Sequence, residues 1–192
     1  RWDDDLSGFR HTVVEINQTG EPIKATEIGR GGPVIRGIVP VESEGEQLGS
    51  VEVYFSPLDL LPFITTGSDR SGAILLVDAA KAREIFFEED LETYFSGELG
   101  SSLISAVSAD WINPQEVLNE DALQESTETG EAVVSSHGHY GVGYVPLTDF
   151  QGNIVAHIAI VQDVSAQIAS SRASTRNIII SVIIGGLLIM VS

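Results

Sequence analysis

The segment Gly37-Ile38-Val39-Pro40-Val41, followed by Gly45 and then Gly49-Ser50-Val51-Glu52-Val53-Tyr54-Phe55, returns later as Gly143-Tyr144-Val145-Pro146-Leu147, Gly152 and Ala156-His157-Ile158-Ala159-Ile160-Val161-Gln162. The offset is 106 residues at the Gly-x-Val-Pro element and 107 from the turn glycine onward. Such a repeat means one backbone plan used twice, so a fold assigned to one copy constrains the other. Both copies alternate side-chain character around a glycine-bearing turn, which predicts an antiparallel hairpin in each.

The 192 residues divide accordingly. A first module is expected over residues 1–66, a linker over 67–70, a second module over 71–164, an exit helix over 165–177 and the start of a membrane helix over 178–192. In the first module Ser7 is placed to cap a helix carrying Phe9, Val13 and Ile16, with Gly20 as its stop. Pro22 to Ile28 reads as a strand, the glycine-rich residues 29–33 as a turn, and 34–42 and 48–56 as strands joined at Gly45. Pro57 and Asp59 open a short apolar helix ending at Ile64. The second module begins with a buried strand, Gly72 to Val77, and continues with helices near Ala80–Phe87 and Asp90–Phe95. An acid-rich stretch of loop and helix over 97–130 precedes strands at 131–137, 139–147 and 153–163. Antiparallel sheets flanked by helices make the fold class α+β, built twice. The second module has about 93 residues against about 66 in the first, so further strands and a helix of the first copy are expected upstream of Arg1.

Ten basic against 28 acidic residues give a formal charge of −18, a field that repels phosphate backbones and excludes nucleic acid as a partner. The charge is uneven. Residues 1–36 hold Arg1, Arg10, Lys24, Arg30 and Arg36 against six acids, whereas the rest holds five bases against 22 acids. With no cysteine, disulfides and thiolate metal sites are excluded. Ile178 to Val191 carries no charge and shows only Ser181 as a polar side chain, which reads as a membrane helix rather than a soluble amphipathic one. Arg172 and Arg176 precede it and, by the positive-inside tendency, weakly favour the cytoplasmic side for their segment, although two charges beside a large acidic domain decide little.

Several separated blocks resemble one family. Asp4-Asp5-Leu6-Ser7-Gly8-Phe9-Arg10, Glu27-Ile28-Gly29-Arg30-Gly31-Gly32, Ile35-Arg36-Gly37-Ile38-Val39-Pro40-Val41 and Gly49-Ser50-Val51-Glu52 are similar to the signature of double Cache sensor domains. Gly143-Tyr144-Val145-Pro146-Leu147-Thr148-Asp149-Phe150-Gln151-Gly152 and Gln162-Asp163-Val164-Ser165 resemble the membrane-proximal half of such domains. The resemblance covers most of 3–165. It implies two tandem Cache (PAS-like) modules forming the extracytoplasmic sensor of a bacterial chemoreceptor or sensor histidine kinase, in the inner membrane with the sensor in the periplasm. It also implies a homodimer, an upstream membrane helix and a cytoplasmic output domain beyond Ser192.

If the copies share a backbone, matched strand positions point the same way, and a difference in polarity marks a difference in task. Val51 and Val53 match Ile158 and Ile160, which reads as core common to both copies. On the opposite face Arg36, Glu52 and Tyr54 match Val142, Ala159 and Val161. A polar face kept in one copy needs water, a neighbouring group or a ligand, because burying it unpaired costs about 1–3 kcal/mol. The ligand pocket is therefore expected in the first module, with Arg10, Arg30 and Arg36 converging on a carboxylate that guanidinium grips in bidentate fashion. A small organic anion or an amino acid is the ligand class, Glu52 taking an ammonium and Tyr54 covering the apolar body. On this reading Arg36→Ala abolishes binding and leaves folding intact.

Two other readings compete. His137 and His139 stand two apart and, with His157, form the basis of a membrane-tethered metal-dependent hydrolase. A ligand-free structural spacer is the other. No nucleophile elbow or phosphate loop is present, no catalytic residue set assembles, and no cofactor is implied, so this segment reads as a non-enzyme.

Overall fold

The computed structural model describes residues 7–8, 10–29, 32–64 and 70–166. Helix α1 (His11–Thr19) leads into a three-stranded meander of β1 (Ile23–Gly29), β2 (Gly32–Ser43) and β3 (Glu46–Phe55). Helix α2 (Pro57–Ile64) follows, and then a six-stranded antiparallel sheet. Its strands are β4 (Ser71–Asp78), β5 (Gly97–Leu99), β6 (Ser102–Val107), β7 (Val133–His137), β8 (Tyr140–Thr148) and β9 (Ile154–Asp163), in the spatial order β5-β6-β4-β9-β8-β7. Helices α3 (Ala79–Ile85), α4 (Glu88–Tyr94), α5 (Pro114–Val117) and α6 (Glu120–Thr129) are threaded between these strands.

The repeat is carried down to register. Arg36 faces Tyr54, Ile38 faces Glu52 and Val39 faces Val51 in β2–β3, while Val142 faces Val161, Tyr144 faces Ala159 and Val145 faces Ile158 in β8–β9. Even the irregularity recurs, between Val41 and Glu42 in one copy and between Leu147 and Thr148 in the other. Glu44 and Gly45 close the first hairpin with φ of 53° and 82°, the positive values a two-residue turn of the hairpin-favouring kind requires.

Strand β4 is apolar on both faces because both are covered. On one side Ala73, Leu75 and Val77 join Ile158, Ala82, Phe86 and Phe95, and this core also takes Ile28 from β1 and Leu61 from α2. On the other side Ile74 and Leu76 join Val142, Tyr144, Ala159 and Val161 beneath Val117, Leu118 and Leu123 of the α5–α6 region. Ile28 thus ties the first sheet to the core of the second. Ile28→Val, which removes one buried methylene, should cost about 0.5–1.5 kcal/mol in chemical denaturation.

Three expectations need correction. Residues 97–130 are not merely loop and helix: Leu103 and Ile104 lie in β6, which pairs with β4 and extends the sheet. Ser7 does not cap the first helix, which starts at His11 after Arg10. Its stop at Gly20 is as expected, with a left-handed φ of 70°. Val51 and Val53 are not core, Val53 being 72% exposed, whereas their counterpart Ile158 is buried. In the second sheet α3 and the segment around Phe86 and Phe95 cover the equivalent face, and among the described residues nothing comparable lies on the first. The expected linker, exit helix and apolar run 178–192 lie largely or wholly outside the described residues. Among those described, no helix is long and apolar enough to cross a membrane.

Candidate functional site

The polar face of the first sheet is built by strand alternation. Ala25 faces Arg36, which faces Tyr54, and Ile23 faces Ile38, which faces Glu52, so Glu27, Arg36, Glu52 and Tyr54 share one side of the three strands. Helix α1 lies over that side. Its apolar anchor Ile16 is fully buried, as is Ile38 of β2, and the Gln47 amide from β3 donates to the Ile16 carbonyl at 3.1 Å. That end of the interface is apolar. The other end is charged.

Glu27 is the centre of the charged end. Its carboxylate accepts from the backbone N–H of Thr12 at 3.2 Å (Oε1) and from the Thr12 hydroxyl at 3.0 Å (Oε2). Thr12 stands in the first turn of α1, where backbone N–H groups lack intrahelical partners and the helix dipole favours an anion. A carboxylate from strand β1 therefore supplies the cap that Ser7 does not. Glu27 Oε2 also lies 3.3 Å from Arg10 Nε and 3.2 Å from Arg36 Nε. Neither Nε–H makes a directed hydrogen bond, so this pairing is one of charge.

Glu52 completes the arrangement from β3. A single oxygen, Oε2, accepts from Arg10 Nη2 at 2.6 Å and from Arg36 Nη1 at 2.8 Å. Two guanidinium groups and two carboxylates make the cluster neutral, and burial is graded across it. The side chains of Arg36 and Glu27 are 5% and 6% exposed, Arg10 is intermediate, and Glu52 is 32% exposed.

A cavity of about 310 Å³ opens on the exposed side of this cluster, lined by Arg10, Gly29, Gly32, Val34, Arg36, Glu52 and Tyr54. Four of the five residues singled out in the sequence meet there, with Tyr54 62% exposed at the rim. The fifth, Arg30, lies outside the described residues. Sequence reasoning missed Glu27, although its signal was present: an acid at alternate spacing on the strand that pairs with the one bearing Arg36. Gly32, with φ of 103°, adopts a conformation that favours glycine beside the cavity.

The equivalent face of the second sheet is filled. Val142, Ala159 and Val161 are fully buried against the α5–α6 region, as the polarity difference between copies predicts. The three histidines do not gather. His137 and His139 are exposed at the β7–β8 hairpin, whereas His157 is buried in the middle of β9, opposite Leu76 and Pro146. Among the described residues no group of three acidic or imidazole ligands is placed to hold a metal, and the expected set of His137, His139 and His157 is not formed.

The family model described as a double sensory domain of two-component sensor kinase, dCache_3, matches residues 1–168. No curated protein matches the chain. Among solved structures, the ligand-binding domain of the Pseudomonas aeruginosa PAO1 amino acid chemoreceptor PctC, in complex with GABA, aligns at 16% identity over 84% of this chain and 65% of its own, with a TM-score of 0.35. That of the Pseudomonas fluorescens chemoreceptor CtaA, in complex with L-serine, aligns at 15% identity over 84% and 63%, with a TM-score of 0.36. The chain spans just under two thirds of the length of either domain.

Proposed function

The chain belongs to the family of double sensory domains of two-component sensor kinases, and from that premise we propose that its first sheet and α1 form the ligand-sensing unit of an extracytoplasmic receptor segment. The ligand class is a small carboxylate or amino acid. One observation carries this reading: Arg10 and Arg36 present Nη donors from a helix start and a strand to one point on the wall of a 310 Å³ cavity. Planar guanidinium groups converging in this way match a carboxylate in geometry and charge.

The second sheet is the transmitting unit. Its matching face is closed by apolar packing, and β1 physically joins the two parts. Glu27 points to the charged cluster while Ile28, next in sequence and on the opposite face, sits in the core beside Leu75 and Ile158. Thr26 also bridges to Asp149. A ligand that binds two arrangements of the cluster unequally biases this core, and from there the segment after Asp163. Attachment to the inner membrane through residues 178–192, a periplasmic setting and a homodimeric state belong to the same proposal.

Arg36→Lys tests the site. The earlier expectation that Arg36→Ala leaves folding intact does not suit a side chain this buried, because truncation also leaves Glu27 short of a cation. Lysine keeps the charge and loses the planar fork. Thermal-shift screening of single amino acids and small carboxylates should find a stabilising compound, and Arg36→Lys should weaken it at least tenfold by calorimetry while leaving the melting transition cooperative. A chain that no such compound stabilises would be the structural spacer instead.

A further inference from the structure

The position of Glu52 has a consequence for specificity. Arg10 Nη2 and Arg36 Nη1 already converge on a carboxylate oxygen, and that oxygen belongs to the protein. Both contacts are charge-assisted and short, at 2.6 and 2.8 Å. Glu27, the other acid of the cluster, is anchored through the Thr12 hydroxyl and backbone N–H and is almost fully buried. Glu52 has no comparable anchor among the described residues, its hydrogen bonds going to Arg10 and Arg36. It comes from β3, an edge strand of its sheet, on the side of the cluster nearest solvent, and it lines the cavity.

Resting on the reading of this cavity as a carboxylate site, we infer that Glu52 is a built-in competitor for the seat between Arg10 and Arg36, and that it makes binding depend on a ligand bearing both a carboxylate and an ammonium. An incoming carboxylate takes over the two Nη donors and displaces Glu52. A bare carboxylate leaves the displaced Glu52 without its two cations and gives the neutral cluster an uncompensated negative charge. An amino acid brings its own cation, to which the displaced Glu52 re-pairs, so charge balance is kept and two charge-assisted contacts are replaced rather than lost. Discrimination between the two ligand classes thus comes from the cost of moving Glu52, as when an unpaired group penalises the wrong partner. A neutral amide at this position holds the guanidinium groups less strongly and has no preference for a cation.

The test uses two matched pairs of probes on the full chain, L-alanine with propionate and L-phenylalanine with 3-phenylpropionate, titrated calorimetrically. The unmodified protein should bind an amino acid at least tenfold more tightly than its partner lacking the ammonium. Glu52→Gln should raise affinity for propionate or 3-phenylpropionate about tenfold and bring the ratio within each pair close to one. A side chain with a merely structural role would not produce that gain. Glu46→Gln, removing an exposed acid at the far end of the same strand, controls for the general field and should leave the ratios unchanged. Glu52→Gln with no gain for either carboxylate, or an equal gain in Glu46→Gln, overturns the inference. If the amino acids bind, and weaken on Arg36→Lys, while Glu52→Gln leaves the ratios as they were, this inference alone fails. If none of the four probes binds either protein, the ligand-site reading falls and takes this inference with it.

Discussion

Glu27→Ala is expected to destabilise the protein by about 3–5 kcal/mol, the range for removing one partner from a buried ionic network. Three losses coincide. Arg36, at 5% exposure, keeps only Glu52 as its charge partner among the contacts described above. Arg10 loses the same carboxylate. The first turn of α1 loses the acceptor for the Thr12 N–H and hydroxyl, an interaction equivalent to a helix cap and worth about 1 kcal/mol alone. Glu27→Gln separates the parts, because its amide oxygen still accepts from Thr12 while the negative charge is gone. Its loss should be smaller, but well above the few tenths of a kcal/mol typical of an exposed ion pair. Urea denaturation of the three proteins measures this, and a loss below about 1 kcal/mol for Glu27→Ala would show that the cluster is solvated rather than structural. The same variant ought to loosen α1 from the sheet before the second core is affected, since the link at Ile28 is apolar and remains.

Much of the fold could be read from the repeat, and the physical reason is register. A Gly-x-Val-Pro element and a turn glycine fix where a hairpin starts and folds back, and the side-chain period of two then fixes every facing pair. Hence Arg36, Glu52 and Tyr54 could be placed on one face without coordinates, with Val142, Ala159 and Val161 as their apolar counterparts. Alternation says which residues share a side of a strand, not what lies above that side. Val51 and Val53 read as core because they match the apolar Ile158 and Ile160 in sequence, yet it is α3 and its neighbours that bury Ile158, and these have no described equivalent on the first sheet. β6 was lost for a different reason. Four of its six residues are apolar, but so short a run does not say by itself whether it is strand or helix, and the strand is defined by pairing with β4, a long-range contact that local pattern does not encode. Glu27 was legible and overlooked. It stands two residues after Ala25, which pairs with Arg36, so alternation alone puts the carboxylate on the guanidinium's face. What no pattern reveals is that one helix start, Thr12, needs that carboxylate.

Acid sensitivity from His157 is the second large effect. The imidazole is 3% exposed, its Nε2 is buried without a hydrogen-bond partner, and the residues facing it across the sheet are Leu76 and Pro146. Desolvation lowers its pKa from the ordinary 6.5 to about 4, opposed only partly by the charge of Asp78. Because the folded protein holds this group neutral, only the unfolded chain takes up a proton between those two values. Folding stability from this group is therefore intact above about pH 6.5, falls by about 1.4 kcal/mol per pH unit below it, and levels off near pH 4 after a loss of about 3 kcal/mol. Carboxylates also begin to titrate below pH 5, so the clean window lies between pH 7 and pH 5, where the loss should be about 2 kcal/mol. His157→Leu offers a buried apolar side chain with nothing to protonate. Denaturation at both pH values should show that variant losing about 2 kcal/mol less than the unmodified protein over the same interval. Equal losses in the two proteins would mean that His157 is protonated in the folded state and finds a partner there. The expected result would place the acid-labile element in the second sheet, on β9, whose matched strand in the first copy carries Glu52 of the charged cluster.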